Sequence, residues 1–286
     1  MLKTRYVELF HKVRALPLDT ACAPMLANLC YGYRQLLLIS YAAPRFAEDF
    51  GEAAKPLVLT GTMLQVIDKL ADNLNQELQP REWAQNIVYL LEALTFQYNG
   101  RYMEVARNAM EDFFSTCAGR EGLEEGICNM WCYKYYFRSD KEAARQAKKM
   151  VDGWVKELPA EGVWSHLTPD RSLERLESMV LFAETVDSEH YSKQTGLLIK
   201  HFSRAEGLDN QVRFLFIAVR AGLCLTYREE VLRILEKLLK VELPQEGSVR
   251  LQQPERAGWK TARCKNEPLL QAIQFHMLGL YWNCEA

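Results

Sequence analysis

The residue types with the most chemistry to offer lie between Glu157 and Asp170, in Glu-Leu-Pro-Ala-Glu-Gly-Val-Trp-Ser-His-Leu-Thr-Pro-Asp. Imidazole titrates near neutral pH, so His166 can give or take a proton, with Asp170 as an acidic counterpart. Trp164 offers a flat aromatic face on which a ring could lie. His166 and Asp170 are therefore candidate catalytic residues, and Trp164 and His166 candidate ligand-binding residues. The same positions also have a purely structural reading. Thr168-Pro169-Asp170 makes a good N-cap, first-turn proline and first-turn acid for the helix that follows, and Trp164 can plug the joint between two hairpins.

A second stretch, Leu243 to Glu267, carries Arg250, Arg256, Lys260, Arg263 and Lys265 around a single aromatic, Trp259. Guanidinium groups suit bidentate contact with a carboxylate or phosphate, and an indole can stack on a ring. Arg256, Trp259, Lys260 and Arg263 are therefore candidate ligand-binding residues; equally, the segment reads as a solvated loop whose charges keep it in water. Arg213 and Arg220 stand seven apart on an otherwise apolar helix, where a charge must find a partner. They either pair with acids such as Glu174, Glu177 or Glu184 or line a polar lumen. Cys128 and Cys132 share a helix face but have no further Cys or His at ligand spacing, so they read as core thiols. No metal site or cofactor is expected, since no Gly-rich phosphate loop, nucleophile elbow or dinucleotide fingerprint is present.

The elements that must position these residues are helical. Met63, Val66, Ile67, Leu70, Ala71 and Leu74 repeat at three-and-four spacing. After Pro80 the pattern becomes paired. Ile87 to Tyr98 is apolar nearly all round and Arg101 to Cys117 has one apolar face; Ile127 to Phe137 and Lys141 to Glu157 repeat this, with Ser139 to Glu142 read as a capping box. Leu173 to Val186 with Tyr191 to Phe202, and Val212 to Leu225 with Glu230 to Val241, make two further pairs, and Leu269 to Trp282 begins another. Four earlier helices are expected at Leu2 to Leu16, Pro24 to Ala42, Arg45 to Ala54 and Leu59 to Leu78. A helix apolar on all sides must be covered on all sides, whereas an amphipathic one can face water. Each pair thus has an inner and an outer member. Turns at Asn99, Ser139, Asp187 and Thr226 are 40, 48 and 39 residues apart, a helical-hairpin period. The words Glu157-Leu-Pro-Ala-Glu-Gly162 return 85 residues later as Glu242-Leu-Pro-Gln-Glu-Gly247.

The expected fold is all-α: repeated antiparallel helical hairpins in inner and outer layers, one domain over 1–286, with less regular helices in 1–79 and hairpin repeats in 80–286. Long inter-hairpin connections favour an α/α toroid, or an incomplete one, over an open solenoid. The 286 residues carry 35 basic and 37 acidic side chains for a formal net charge of -2, so neither nucleic acid nor a membrane surface is expected as a partner. The start lacks the apolar run of a secretory signal, and the eight cysteines read as reduced thiols; a cytoplasmic protein is expected.

Glu161-Gly-Val-Trp-Ser-His166, with Asp170 following, resembles the Gly-aliphatic-aromatic-x-His stretch of six-hairpin glycosidases that act on unsaturated uronyl sugars, and the hairpin architecture is similar. The resemblance implies a toroid whose inner helices and long loops surround a saccharide pocket at one rim, with Trp164 near the sugar and His166 near its polar groups. The Trp-x-Arg-Gly-x-Gly-Trp type of stretch found in that family is absent here, so no catalytic carboxylate is carried over. Two functions follow. The first is a binding or scaffold protein that holds a protein partner or a small ligand on its concave face. The alternative is a toroidal carbohydrate-active enzyme, hydrolase-like, acting on an anionic or uronyl saccharide.

Overall fold

Proline sets the beat of this chain. A ring that fixes φ and lacks an N–H fits the first turn of a helix and nowhere later in it. In the computed structural model, a proline occupies one of the first two positions of α2 (Ala23–Ala42), α3 (Pro44–Ala47), α4 (Pro56–Asp72) and α9 (Pro169–Thr185). The structure describes residues 2–75, 78–117, 119–158, 164–187, 192–204, 206–241 and 267–285, and these contain no strand. The remaining helices are α1 (Leu2–Arg14), α5 (Pro80–Phe96), α6 (Gly100–Cys117), α7 (Glu124–Arg138), α8 (Lys141–Lys156), α10 (Ser192–Phe202), α11 (Leu208–Arg220), α12 (Arg228–Leu239) and α13 (Glu267–Glu285). No described helix is long and apolar enough to cross a membrane.

Three expectations are corrected locally. The single helix expected over Arg45 to Ala54 is α3 followed by two short 3-10 turns, because Gly51 adopts a φ of 72°, which an α-helix cannot accommodate. The capping residue of α8 is Asp140, whose carboxylate accepts the amides of Glu142 and Ala143. Ser139 instead closes α7 in a left-handed conformation, so there is no Ser139–Glu142 box. Finally, the cysteines are not all reduced: Cys30, Cys117, Cys128 and Cys132 are free and buried, whereas Cys22, Cys224 and Cys284 are disulfide-bonded.

Contacts divide the chain into two compact units: residues 1–78, 89–109 and 235–286, and residues 79–88 and 110–234. In the first unit, α2 and α13 lie side by side. His276 pairs through Nδ1 with the Asn28 side chain at 3.0 Å, and seven residues further along both helices Asn283 donates to the Gln35 side chain at 2.7 Å. Equal advance in the same direction makes the two helices parallel. Their closeness depends on glycine. A Cβ on Gly279 would lie 2.7 Å from Cβ of Gln35 and 2.8 Å from the Tyr6 hydroxyl, and one on Gly32 would run into the Phe275 ring. Against this pair α1 buries Tyr6, Leu9, Phe10 and Val13, with the rings of Tyr6 and Phe275 5.4 Å apart.

In the second unit α7, α9 and α11 are likewise parallel. Near their starts Glu125 meets Arg175, and Glu174 meets Arg213. Near their ends Arg220 donates to Glu184 and to the Tyr133 hydroxyl. The pairing of Arg213 and Arg220 with acids of α9 is the structural alternative read from the sequence. Between these helices, α8 offers a single buried face of Ala143, Ala147, Val151 and Trp154. The inner and outer roles expected from hydrophobic pattern hold here.

Gly279→Ala should force α2 and α13 apart, because the nearest atom is a Cβ with no freedom to move away. An overpacking cost of about 1–3 kcal/mol is expected, read as a lower urea midpoint at unchanged slope, whereas Gly153→Ala in α8, which meets no neighbour within 4 Å, should raise the midpoint, since a helical Gly costs about 0.5–1 kcal/mol relative to Ala.

Candidate active site at the helix starts of the second unit

Parallel inner helices bring their first turns to one end, and the second unit fills that end with charge. Arg81 of α5 donates to both oxygens of Glu174 at 2.6 and 2.7 Å. Arg171 reaches Glu125 at 2.6 Å and Glu124 at 3.1 Å. Arg175 bonds the other oxygen of Glu125 at 3.3 Å and Glu157 at 3.2 Å. Arg213 donates to the Asp170 backbone carbonyl at 3.0 Å and stands 3.5 Å from its carboxylate. Glu125 and Arg175, with side chains only 8% and 7% exposed, are the buried centre of this network. A charge so far from water persists only when its partners replace hydration. Glu125 has two guanidiniums, and Ser178 donates to its backbone carbonyl at 3.4 Å.

Arg175 is also held by rings. Its guanidinium carbon lies 5.1 Å from the Trp154 centroid and 5.5 Å from that of Trp164, distances at which the ring faces attract a cation. Trp164 is 1% exposed, and its indole N–H donates to the Trp154 carbonyl at 2.9 Å. Its work in this structure is to seat the loop after α8 and hold Arg175, and so buried a ring shows no free face to a sugar. His166 is exposed, 3.8 Å from Glu157, at the edge of the same network. Asp170 is in the first turn of α9 after the Thr168 cap, whose hydroxyl accepts the Arg171 amide at 3.3 Å. The structure thus brings Trp164, His166 and Asp170 into one neighbourhood. Arg256, Trp259, Lys260 and Arg263 lie outside the described residues.

Two carboxyls here are driven in opposite directions. Burial pushes Glu124 up, but hydrogen bonds from its own amide and that of Gly122, and the charge of Arg171, outweigh this and hold it below the usual carboxylate range. Asp209, in the first turn of α11, is an exposed residue, yet nearby protein takes water from its carboxyl. Loss of water and then the negative charge of Asp170 raise it, with Arg213 opposing. One carboxyl shifted down and one shifted up is the kind of difference acid–base chemistry uses.

No protein-family model matches the chain, and no curated protein does. A search of solved structures finds a match to an inactive variant of an α-1,6-mannanase, GH76A of Salegentibacter sp. HEL1_6, in complex with α-1,6-mannotriose. The TM-score is 0.63 at 10% identity, over 99% of this chain and 98% of that one. The fold is an α/α toroid. At such low identity the match establishes the fold and nothing finer. The toroid expected from the hairpin pattern, and the fold-level resemblance to toroidal glycosidases, are thereby shown.

Sequence reasoning missed Glu124, Glu125, Arg171, Arg175 and Asp209. Each sits within the first two turns of a helix, where an acid is ordinarily explained by the helix dipole. A signal was present nonetheless: α7, α9 and α11 all open with acids, and α9 and α11 add arginines that no helix start requires.

Arg175→Ala should strip Glu125 of one cation and leave a gap between two tryptophans. A loss of about 3 kcal/mol is expected for breaking a buried pair from one side, measured by urea unfolding. Arg175→Lys should recover only part of it, since an ammonium cannot fork or lie flat between rings.

Proposed function

We propose that the chain is a carbohydrate-active enzyme that hydrolyses a glycosidic bond at the helix starts of its second unit, with Asp209 as proton donor and Glu124 as the charged carboxylate. The observation that carries this reading is the gathering of Glu124, Glu125, Asp170, Glu174 and Asp209 at one end of parallel inner helices, with Glu124 and Asp209 displaced in opposite directions. Glycoside hydrolysis needs an acid to protonate the leaving oxygen and a carboxylate to act as base or nucleophile. The mannanase of similar fold is inactive with two consecutive aspartates replaced by asparagine; the consecutive acids Glu124 and Glu125 open α7 here.

The charge balance favours a neutral sugar. Arg81, Arg171, Arg175 and Arg213 each face a carboxylate, and acids outnumber them, so these groups repel a uronate. The anionic sugar expected from the sequence rested on the resemblance to uronyl-acting glycosidases and on the Arg250 to Lys265 segment, which lies outside the described residues. His166, beside Glu157 at the rim, is proposed as a group that contacts substrate hydroxyls. A second reading, saccharide binding without turnover, is favoured by the double pairing of Glu125, which leaves that carboxylate little freedom to react. The disulfide-bonded cysteines favour an oxidising compartment over the cytoplasm.

Hydrolysis of neutral oligosaccharides, α-1,6-mannotriose among them, should be detected by release of reducing ends. Asp209→Asn and Glu124→Gln should each lower the rate by about 10²–10⁴-fold with helicity unchanged. The rate should be bell-shaped in pH. It falls toward alkali as Asp209 loses its proton above the usual carboxylate range, and toward acid as Glu124 gains one below it. Asp209→Asn should abolish the alkaline limb. Binding with no turnover at any pH would replace this reading with the second.

A further inference from the structure

Within the same unit, Ser203, Arg204 and Glu206, which follow α10, and the first turns of α11 and α12 line an open groove of about 470 Å³. Every residue that lines it is of a polar type, with Arg204, Glu206, Glu229, Glu230 and Arg233 as its charges. Unlike the network at the helix starts, none of these five forms an ion pair with another described residue. Glu229 and Glu230 also sit in the first turn of α12, where the dipole tolerates them, but that accounts for neither guanidinium.

We propose that this groove is a second saccharide-binding site, holding one or two neutral sugar units apart from the reaction site. The volume falls within the range of small-ligand sites, about 300–1,000 Å³. Three carboxylates repel an anion and two guanidiniums repel a simple cation. A ligand dense in groups that both donate and accept suits both signs at once: carboxylates accept from sugar hydroxyls, and guanidiniums donate to hydroxyl and ring oxygens. No apolar side chain lines the groove, which disfavours a greasy ligand. A zwitterion would match the signs as well, and the test separates the two.

The inference rests on the carbohydrate reading above, and the experiment distinguishes their failures. The full chain is titrated by calorimetry with a panel of neutral trisaccharides that includes α-1,6-mannotriose, and separately with glycine as a zwitterion. The variants are Glu230→Gln with Arg233→Ala in the groove, and Asp209→Asn at the reaction site. The expected result is two saccharide sites in the parent, with the groove pair lost at least tenfold in affinity in the groove variant and retained in Asp209→Asn. Hydrolysis by the groove variant should match the parent, because neither side chain belongs to the reaction site. Saccharide binding with the same stoichiometry in parent and groove variant overturns the groove and leaves the carbohydrate reading standing. Glycine binding that the groove variant abolishes, without saccharide binding there, also overturns it. No saccharide binding to any form overturns both.

Discussion

A carboxylate that cannot reach water governs the charged half of this molecule. Glu125 opens α7 with its side chain almost wholly covered, and Arg171 and Arg175, one turn apart on α9, take its two oxygens. Burying an ion costs several kcal/mol unless partners replace its hydration, so the two helices are tied in register at their first turns. The remaining charges are arranged in consequence. Arg175 needs its own shelter, which Trp154 and Trp164 supply; Arg171 carries Glu124 with it; Glu174, facing the same way as Arg171, draws Arg81 and Arg213 inward. Removing one member leaves its neighbours charged and unmatched.

That lattice has a chemical outcome. Charges locked at helix starts do not reorganise when a ligand arrives, so the field they create is already in place. Glu124 is shifted down by amides and a guanidinium, and Asp209 is shifted up by crowding and by Asp170. The two carboxyls differ because their surroundings differ, and those surroundings are fixed by the packing of α7, α9 and α11.

Fold was readable from the chain because it rests on local patterns. Helices such as α7, apolar on every side, beside helices such as α8 with one buried face, leave few arrangements open. The N-cap at Thr168 and the pairing of Arg213 and Arg220 with acids of α9 follow from nearest-neighbour rules and the cost of a buried charge. The site was only partly readable. Asp170 and His166 lie in its neighbourhood, and of the two readings of Trp164, a face for a ring or a plug at the hairpin joint, its burial fits the plug. Glu124, Arg171 and Asp209 come from different helices, 124, 171 and 209 in the chain, and nothing in their separate sequences announces that parallel packing will join their first turns. Gly51 and Ser139 show the same limit at small scale: a φ of 72° or 52° is chosen by what surrounds the turn as much as by the residue.

The account turns on whether a sugar occupies those first turns. The direct measurement is a crystal structure of the Asp209→Asn protein soaked with a neutral trisaccharide that the parent protein hydrolyses. The predicted result is density at the starts of α7, α9 and α11, with the glycosidic oxygen in hydrogen-bond reach of the side chain at 209 and the Glu124 carboxylate across the ring. Sugar bound well away from these residues, with the charged network untouched by it, would contradict the account and reduce that network to a device for holding helices together.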